Sequence, residues 1–121
     1  MIGDLIAFVP STDLPRSRAF YEGVLGLLVT EESSFAVAFD VHGTQLRVTA
    51  VAQRVAAPYT VLGWGVGDIA GAIRELRARG VAFERYEGMD QDADGVWRAP
   101  SGARVAWFQD PDGNVLSLTQ R

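Results

Sequence analysis

Arg47 is the residue best placed to hold a charged group. It lies in the run Leu46-Arg47-Val48-Thr49, whose alternation sets it on the face opposite Leu46 and Val48. A cation on a partly apolar face requires a counter-ion. The run therefore predicts an anchor for a carboxylate or other anionic ligand group, or else an internal ion pair or a snorkelled surface arginine. A second candidate is Asp90-Gln91-Asp92-Ala93-Asp94-Gly95, the opening of a calcium-binding loop, in which glycine permits the sharp turn. Ser101 stands at the twelfth position, where a bidentate acid is required, so a solvated acidic loop is the expected reading. Gly63-Trp64-Gly65-Val66-Gly67 lacks the spacing of a dinucleotide fingerprint and reads as strand, with Gly63 and Gly65 leaving room on its open face. The single histidine, His42, precedes Gly43 and reads as a turn residue with no acid or serine beside it to form a triad. Asp110 and Asp112, in Asp110-Pro111-Asp112-Gly113, read as turn formers. Glu31, Glu32, Tyr59 and Glu84 are the remaining loose candidates for proton transfer, and no catalytic constellation emerges from them.

The elements that must position these residues occur twice. Leu5 to Val9 reads as a strand, and Thr12 or Asp13 caps a helix with Pro15 in its first turn. Leu14, Phe20, Tyr21, Val24 and Leu25 form the apolar face of this helix, and Gly26 ends it. Strands follow at Leu27–Thr30, Phe35–Phe39 and Leu46–Thr49, the last two joined by His42-Gly43. The second copy runs through a strand at Tyr59–Val66, a helix capped by Asp68 and ended by Gly80, and strands at Val81–Tyr86, Ala103–Phe108 and Val115–Thr119. It carries extra residues within 88–102, a possible lid with Trp97 as an apolar wall. The fold class is α+β: two βαβββ modules, 1–57 and 58–121 of a single domain, forming a cupped mixed sheet with helices on the convex face. Strand phase sends Leu5, Ala7, Val9, Leu46, Val48, Leu62, Trp64, Val66, Leu116 and Leu118 under the helices. Ile6, Phe8, Arg47, Val61, Gly63, Gly65 and Ser117 then face the concave side. Phe8, Phe39, Trp97 and Trp107 are candidates for an aromatic wall.

Composition narrows the field. A net charge of −4 offers no basic field for nucleic acid or an anionic membrane surface. No apolar run approaches the roughly 18 residues of a membrane span, and no signal-peptide pattern opens the chain. The absence of cysteine excludes disulfides, thiolate metal sites and a cysteine nucleophile, and fits a cytoplasmic location.

Asp13-Leu14-Pro15-Arg16-Ser17-Arg18-Ala19-Phe20-Tyr21, Val24-Leu25-Gly26-Leu27, Val66-Gly67-Asp68-Ile69 and Ala106 to Asn114 occur in an order and spacing that resemble the glyoxalase / bleomycin-resistance / extradiol dioxygenase (vicinal oxygen chelate) superfamily. The resemblance covers essentially the whole chain. It implies lyase, isomerase or dioxygenase chemistry at a divalent metal, or metal-free sequestration of drugs, with homodimers common. Counted from the matched anchors, the family's four ligand positions fall on Ile6, Arg47, Val61 and Ser117, none a usual metal ligand. We therefore expect a member with no metal and no cofactor. Its small aromatic or amphipathic ligand would be held by Ile6, Phe8, Arg47, Val61, Trp107, Ser117 and Trp97. An enzyme with an unrecognised site and a dimeric interaction module are the alternatives.

Overall fold

The computed structural model describes residues 1–121. The chain forms two compact units, Met1–Ala56 with Asp110–Asn114, and Ala57–Gln109 with Val115–Arg121. Each carries its own four-stranded mixed sheet, so the strands form two separately hydrogen-bonded sheets. No helix is long and apolar enough to cross a membrane.

In the first unit the order is β1 (Ile6–Ser11), α1 (Leu14–Arg18), a π-helical turn (Ala19–Val24), β2 (Leu28–Glu32), β3 (Ala36–Val41) and β4 (Thr44–Ala50). The sheet order is β1-β4-β3-β2, with β1 parallel to β4 and the other pairs antiparallel. Asp13, not Thr12, caps α1, its carboxylate accepting from the Arg16 N–H at 3.1 Å. The helix does not stay α-helical to its end. From Ala19 it widens into a π turn, in which the Leu25 N–H donates to the Phe20 carbonyl five residues back. Gly26, at φ +73°, then reverses the chain. His42 and Gly43, both at positive φ, make the two-residue hairpin turn whose twist matches the strands. Val9, Leu46 and Val48 are buried, as their phase requires, with Tyr21, Val37 and Phe39. Leu5 departs from its expected place under the helix: it precedes β1 and is 74% exposed.

The turn residues Asp110–Asn114 belong to the core of this first unit. Asp110 Oδ1 accepts the N–H groups of Asp112 and Asn114, both at 2.9 Å, which builds the turn. Its Oδ2 accepts the Tyr21 hydroxyl and the Asn114 side-chain amide, each at 2.7 Å. Asp112 Oδ1 accepts from the Thr12 N–H at 2.9 Å and the Thr12 hydroxyl at 2.7 Å, and pairs with Arg16 at 3.0 Å; Oδ2 accepts from Ser17 at 3.1 Å. The two aspartates are therefore more than turn formers: they are buried acceptors that fasten the start of α1 and the phenol of Tyr21. Burial alone would raise Asp112, but the Thr12 amide and the Thr12, Ser11 and Ser17 hydroxyls prevail and lower it to about 2. Burial first, then the Asp110 carboxylate, raises the Tyr21 phenol, which stays protonated as a donor.

In the second unit β5 (Thr60–Gly65), α2 (Ile69–Ala78), β6 (Trp97–Arg98), β7 (Arg104–Gln109) and β8 (Val115–Gln120) form a sheet of order β5-β8-β7-β6. Ile69, Ile73 and Leu76, at helical spacing, are the buried stripe of α2. Two acceptors cap its first turn: Asp68 takes the Gly71 N–H at 3.1 Å, and Gln120 of β8 takes the Ile69 N–H at 2.9 Å. Gly80, at φ +93°, closes the helix with the Val81 N–H on the Leu76 carbonyl and its own N–H on Arg77. The strand expected at Val81–Tyr86 does not form. That segment touches β7 only through the Phe83–Phe108 bridge and the Glu84 N–H on the Trp107 carbonyl. The edge strand is instead the short β6, inside the expected insertion at 88–102.

Two measurements test the aspartate network. Asp112→Ala removes several charge-assisted bonds and should lower the unfolding free energy by about 2–3 kcal/mol in urea titrations at neutral pH. The folded-state value of Asp112 lies below its ordinary 3.8, so its contribution is present above that value and is lost as pH falls through about 2. The gap between parent and Asp112→Asn should therefore narrow over that window. A gap independent of pH there would show that ionised Asp112 is not what stabilises the turn.

Candidate functional site

The open face of the first sheet is set by a bulge. β2 pairs Val29 with Phe39 but Glu31 with Ala38, so Thr30 is the extra residue and Glu31 is re-aimed. Ala38 pairs in turn with Arg47, and Arg47 with Phe8. The four side chains Phe8, Arg47, Ala38 and Glu31 thus form one row across all four strands. Because Ala38 offers only a methyl group, Arg47 reaches over the intervening strand to Glu31, at 3.8 Å. The internal counter-ion expected as one of the readings of Arg47 is present. It is a loose pair with an exposed carboxylate, worth little in stability. Phe8, 61% exposed, stands on the other flank of Arg47. Ile6 lies two residues away and pairs with Gln45, not Arg47. Phe39 is no part of this face: it is fully buried against Tyr21 at 5.8 Å.

The second sheet also carries a bulge, and it displaces one expected site residue. Thr60 pairs with Val115 and Leu62 with Leu116, which leaves Val61 without a partner. Gly63 pairs with Ser117, and Ser117 with Trp107. A side-chain carbon at Gly63 would stand 2.5 Å from Ser117 Oγ, so the glycine admits the serine hydroxyl close to the strand. Gly65 opens onto free space. Trp107 donates its indole N–H to Thr60 Oγ1 at 3.0 Å, which fixes the ring. Tyr86 meets it edge-on at 5.5 Å, and Trp97 of β6 lies tilted at 6.1 Å. These three rings form an aromatic wall next to Ser117. Tyr86 is the member sequence reasoning missed, because its segment reads as a regular strand. Burial, then the Glu84 carboxylate, raises its phenol, so it remains neutral and is no base near pH 7.

The side chains at Ile6, Arg47, Val61 and Ser117 offer a divalent ion one hydroxyl between them, and the carboxylate on the first face, that of Glu31, is paired with Arg47. The register neighbours are Phe8 with Arg47 and Gly63 with Ser117, and Ile6 and Val61 add only hydrocarbon. A divalent site needs three or four N, O or S ligands. No three His, Asp or Glu side chains converge as a metal-holding group. In the acidic loop, Asp92 Oδ1 folds back on the N–H groups of Asp94 and Val96 at 2.8 and 2.9 Å, and Asp94 pairs with Arg77 at 2.9 Å. His42 is an exposed turn residue, Tyr59 is 65% exposed, and Glu32 pairs with Arg18.

Comparison with known proteins agrees with this architecture. The family model for the glyoxalase/bleomycin resistance protein/dioxygenase superfamily matches residues 4–118. The chain belongs to that superfamily. Among solved structures, a superfamily member from Sphaerobacter thermophilus is 23% identical with a TM-score of 0.77, over 100% of this chain and 98% of that one. The fosfomycin resistance protein FosX of Listeria monocytogenes is 16% identical with a TM-score of 0.78, over 100% and 95%. A lactoylglutathione lyase of Agrobacterium tumefaciens is 17% identical with a TM-score of 0.75, over 98% and 92%. At these identities the likeness establishes the fold alone. A comparison with curated proteins finds no match.

The Glu31–Arg47 geometry makes a quantitative prediction. Glu31→Gln should change the unfolding free energy by less than about 0.5 kcal/mol, because the pair is long and exposed. Chemical denaturation checks this. A loss near 2 kcal/mol would mean that the pair is a structural strut and not a displaceable counter-ion.

Proposed function

We propose that this protein captures a small aromatic or amphipathic molecule without the help of a metal ion. The supporting observation is the wall formed by Tyr86, Trp97 and Trp107 beside Ser117, built on strands whose open positions carry no metal donor set. With its N–H tied to Thr60, Trp107 has its polar edge satisfied and its π face left for a flat ring. Ser117 offers one hydroxyl to orient a polar substituent, and Gly63 keeps the strand beside it low. Ring burial supplies most of the affinity, and one or two polar contacts fix the pose. On the first unit Phe8 and Arg47 offer an apolar surface beside a cation, suited to an anionic group once Glu31 is displaced.

Sequestration is favoured over turnover by the residues themselves. The carboxylate beside Arg47, that of Glu31, is exposed and paired with it, whereas general acid–base chemistry needs a titratable group held within reach of the reacting proton. Tryptophan fluorescence with a library of aromatic acids and natural products provides the test. A ligand should quench the emission, and Trp107→Ala should weaken it at least tenfold, about 1.4 kcal/mol. The first unit is tested separately: any anionic ligand held at its Phe8–Arg47 face, read by calorimetry, should be weakened by Arg47→Ala more than its neutral amide is. One bound divalent ion per chain, together with glyoxalase or dioxygenase turnover on adding Ni, Zn, Fe or Mn, would sink the proposal.

A further inference from the structure

On the other side of the second sheet lies a cleft of about 450 Å³, lined by Ile69, Asp90, Val96, Arg98 and Arg104 among others. Arg104 shares its side of β7 with the buried Ala106 and Phe108, and its partner on β8 is Gln120, which caps α2. The cleft is therefore on the helix-bearing side, and Trp97 and Trp107 are on the opposite one. Arg98 and Arg104 are register partners across β6 and β7. The Ala99 N–H donates to the Ala103 carbonyl, at 2.7 Å, which makes Arg98–Arg104 a pair of the non-hydrogen-bonded kind. In such pairs the side chains start closest together, and like charges there are destabilising. Neither arginine has a carboxylate within 4.0 Å, a condition they share with Arg54, Arg74, Arg85 and Arg121; what sets the two apart is that they are register partners on one cleft.

The acids lining the cleft do not neutralise this pair. Asp92 is turned back on its own loop, and Asp94 is held by Arg77. Asp90, on the same cleft, is exposed and bonded to nothing in the chain. Two arginines in register on one cleft match one planar anion, a free carboxylate matches one cation, and the hydrocarbon of Ile69, Ala70 and Val96 lies in the same cleft. A bare anion would be repelled by the aspartates, and a bare cation by the arginines. We propose that this cleft binds an amino-acid-sized dipolar molecule, its carboxylate between Arg98 and Arg104 and its ammonium group at Asp90. This site is independent of the aromatic wall and of the capture proposed there.

Amide-resolved NMR titration of the whole protein tests the assignment. The probes are L-leucine, L-methionine and L-phenylalanine, with 4-methylpentanoate and 3-methylbutylamine as the leucine analogues lacking one charge each. At least one amino acid should shift the amides of Ile69, Ala70 and Val96. Leucine should bind at least about tenfold tighter than either analogue. Arg104→Ala should weaken leucine and the acid about tenfold and should not weaken the amine, which loses a repelling charge; Asp90→Asn should weaken leucine and the amine and should not weaken the acid. Both residues are exposed, and circular dichroism verifies that the variants fold. If none of the amino acids shifts those amides, or if the acid and the amine bind as well as leucine does, the cleft is a self-neutralising surface and the proposal is wrong.

Discussion

The structure depends on two carboxyl groups that are out of water and met by hydrogen-bond donors. Asp110 and Asp112 occupy the turn between β7 and β8, and nearly every oxygen lone pair they present is met by a donor from the turn itself, from Thr12 in the β1–α1 link, from α1 or from the π turn. An unpaired buried carboxylate would be intolerable, so the donors must be in place for the turn to be buried at all. This makes distant positions mutually obligatory. Ser17 is an inward serine on an otherwise apolar helix face because Asp112 needs its hydroxyl, and Tyr21 is a tyrosine and not a phenylalanine because Asp110 needs its phenol. Ser11 completes the set by sharing a 2.6 Å contact with Ser17. No buried side-chain polar atom is left without a partner, as expected of a polar network that is satisfied throughout.

Within each unit, one bulge decides what the open face presents. In the first, an extra residue at Thr30 brings Glu31 into line with Ala38 and Arg47, and so supplies the cation with a counter-ion. In the second, an extra residue at Val61 takes that side chain out of register and brings Gly63 against Ser117. The same βαβββ frame therefore produces two faces of different character, one charged and one aromatic. The identity of the side chains on the open strands, and a one-residue slip in each sheet, determine which groups share a row.

Much of the architecture was legible in the sequence because its signals are local. Asp13 and Asp68 as caps, Gly26 and Gly80 as helix ends and His42-Gly43 as a hairpin turn each depend on a few neighbouring residues. The burial of Leu46, Val48, Leu116 and Leu118 follows from alternation alone. The strand expected at Val81–Tyr86 failed for the converse reason. Its apolar and aromatic composition fits a strand, but β7 has only one free edge there, and Trp97–Arg98 takes much of it. Composition states a preference for pairing; it does not say which of two segments will reach the edge. Leu5 was misplaced for a similar reason, since alternation continues past the point where β1 loses its partner.

What the sequence determined by itself is the family frame, the order of its elements, the residues that cap and end its helices, and the residue types at Ile6, Arg47, Val61 and Ser117, none of which is imidazole or carboxylate. These rest on residue type and on contacts a few positions apart. Only the tertiary structure decided that Asp110 and Asp112 are buried acceptors for residues about a hundred positions earlier, that Arg47 already has Glu31, that Tyr86 joins Trp97 and Trp107, and that Arg98 and Arg104 face each other without a carboxylate. Each of these turns on strand register and on which donors converge in space. Periodicity cannot specify that, because a single bulged residue changes every pairing beyond it.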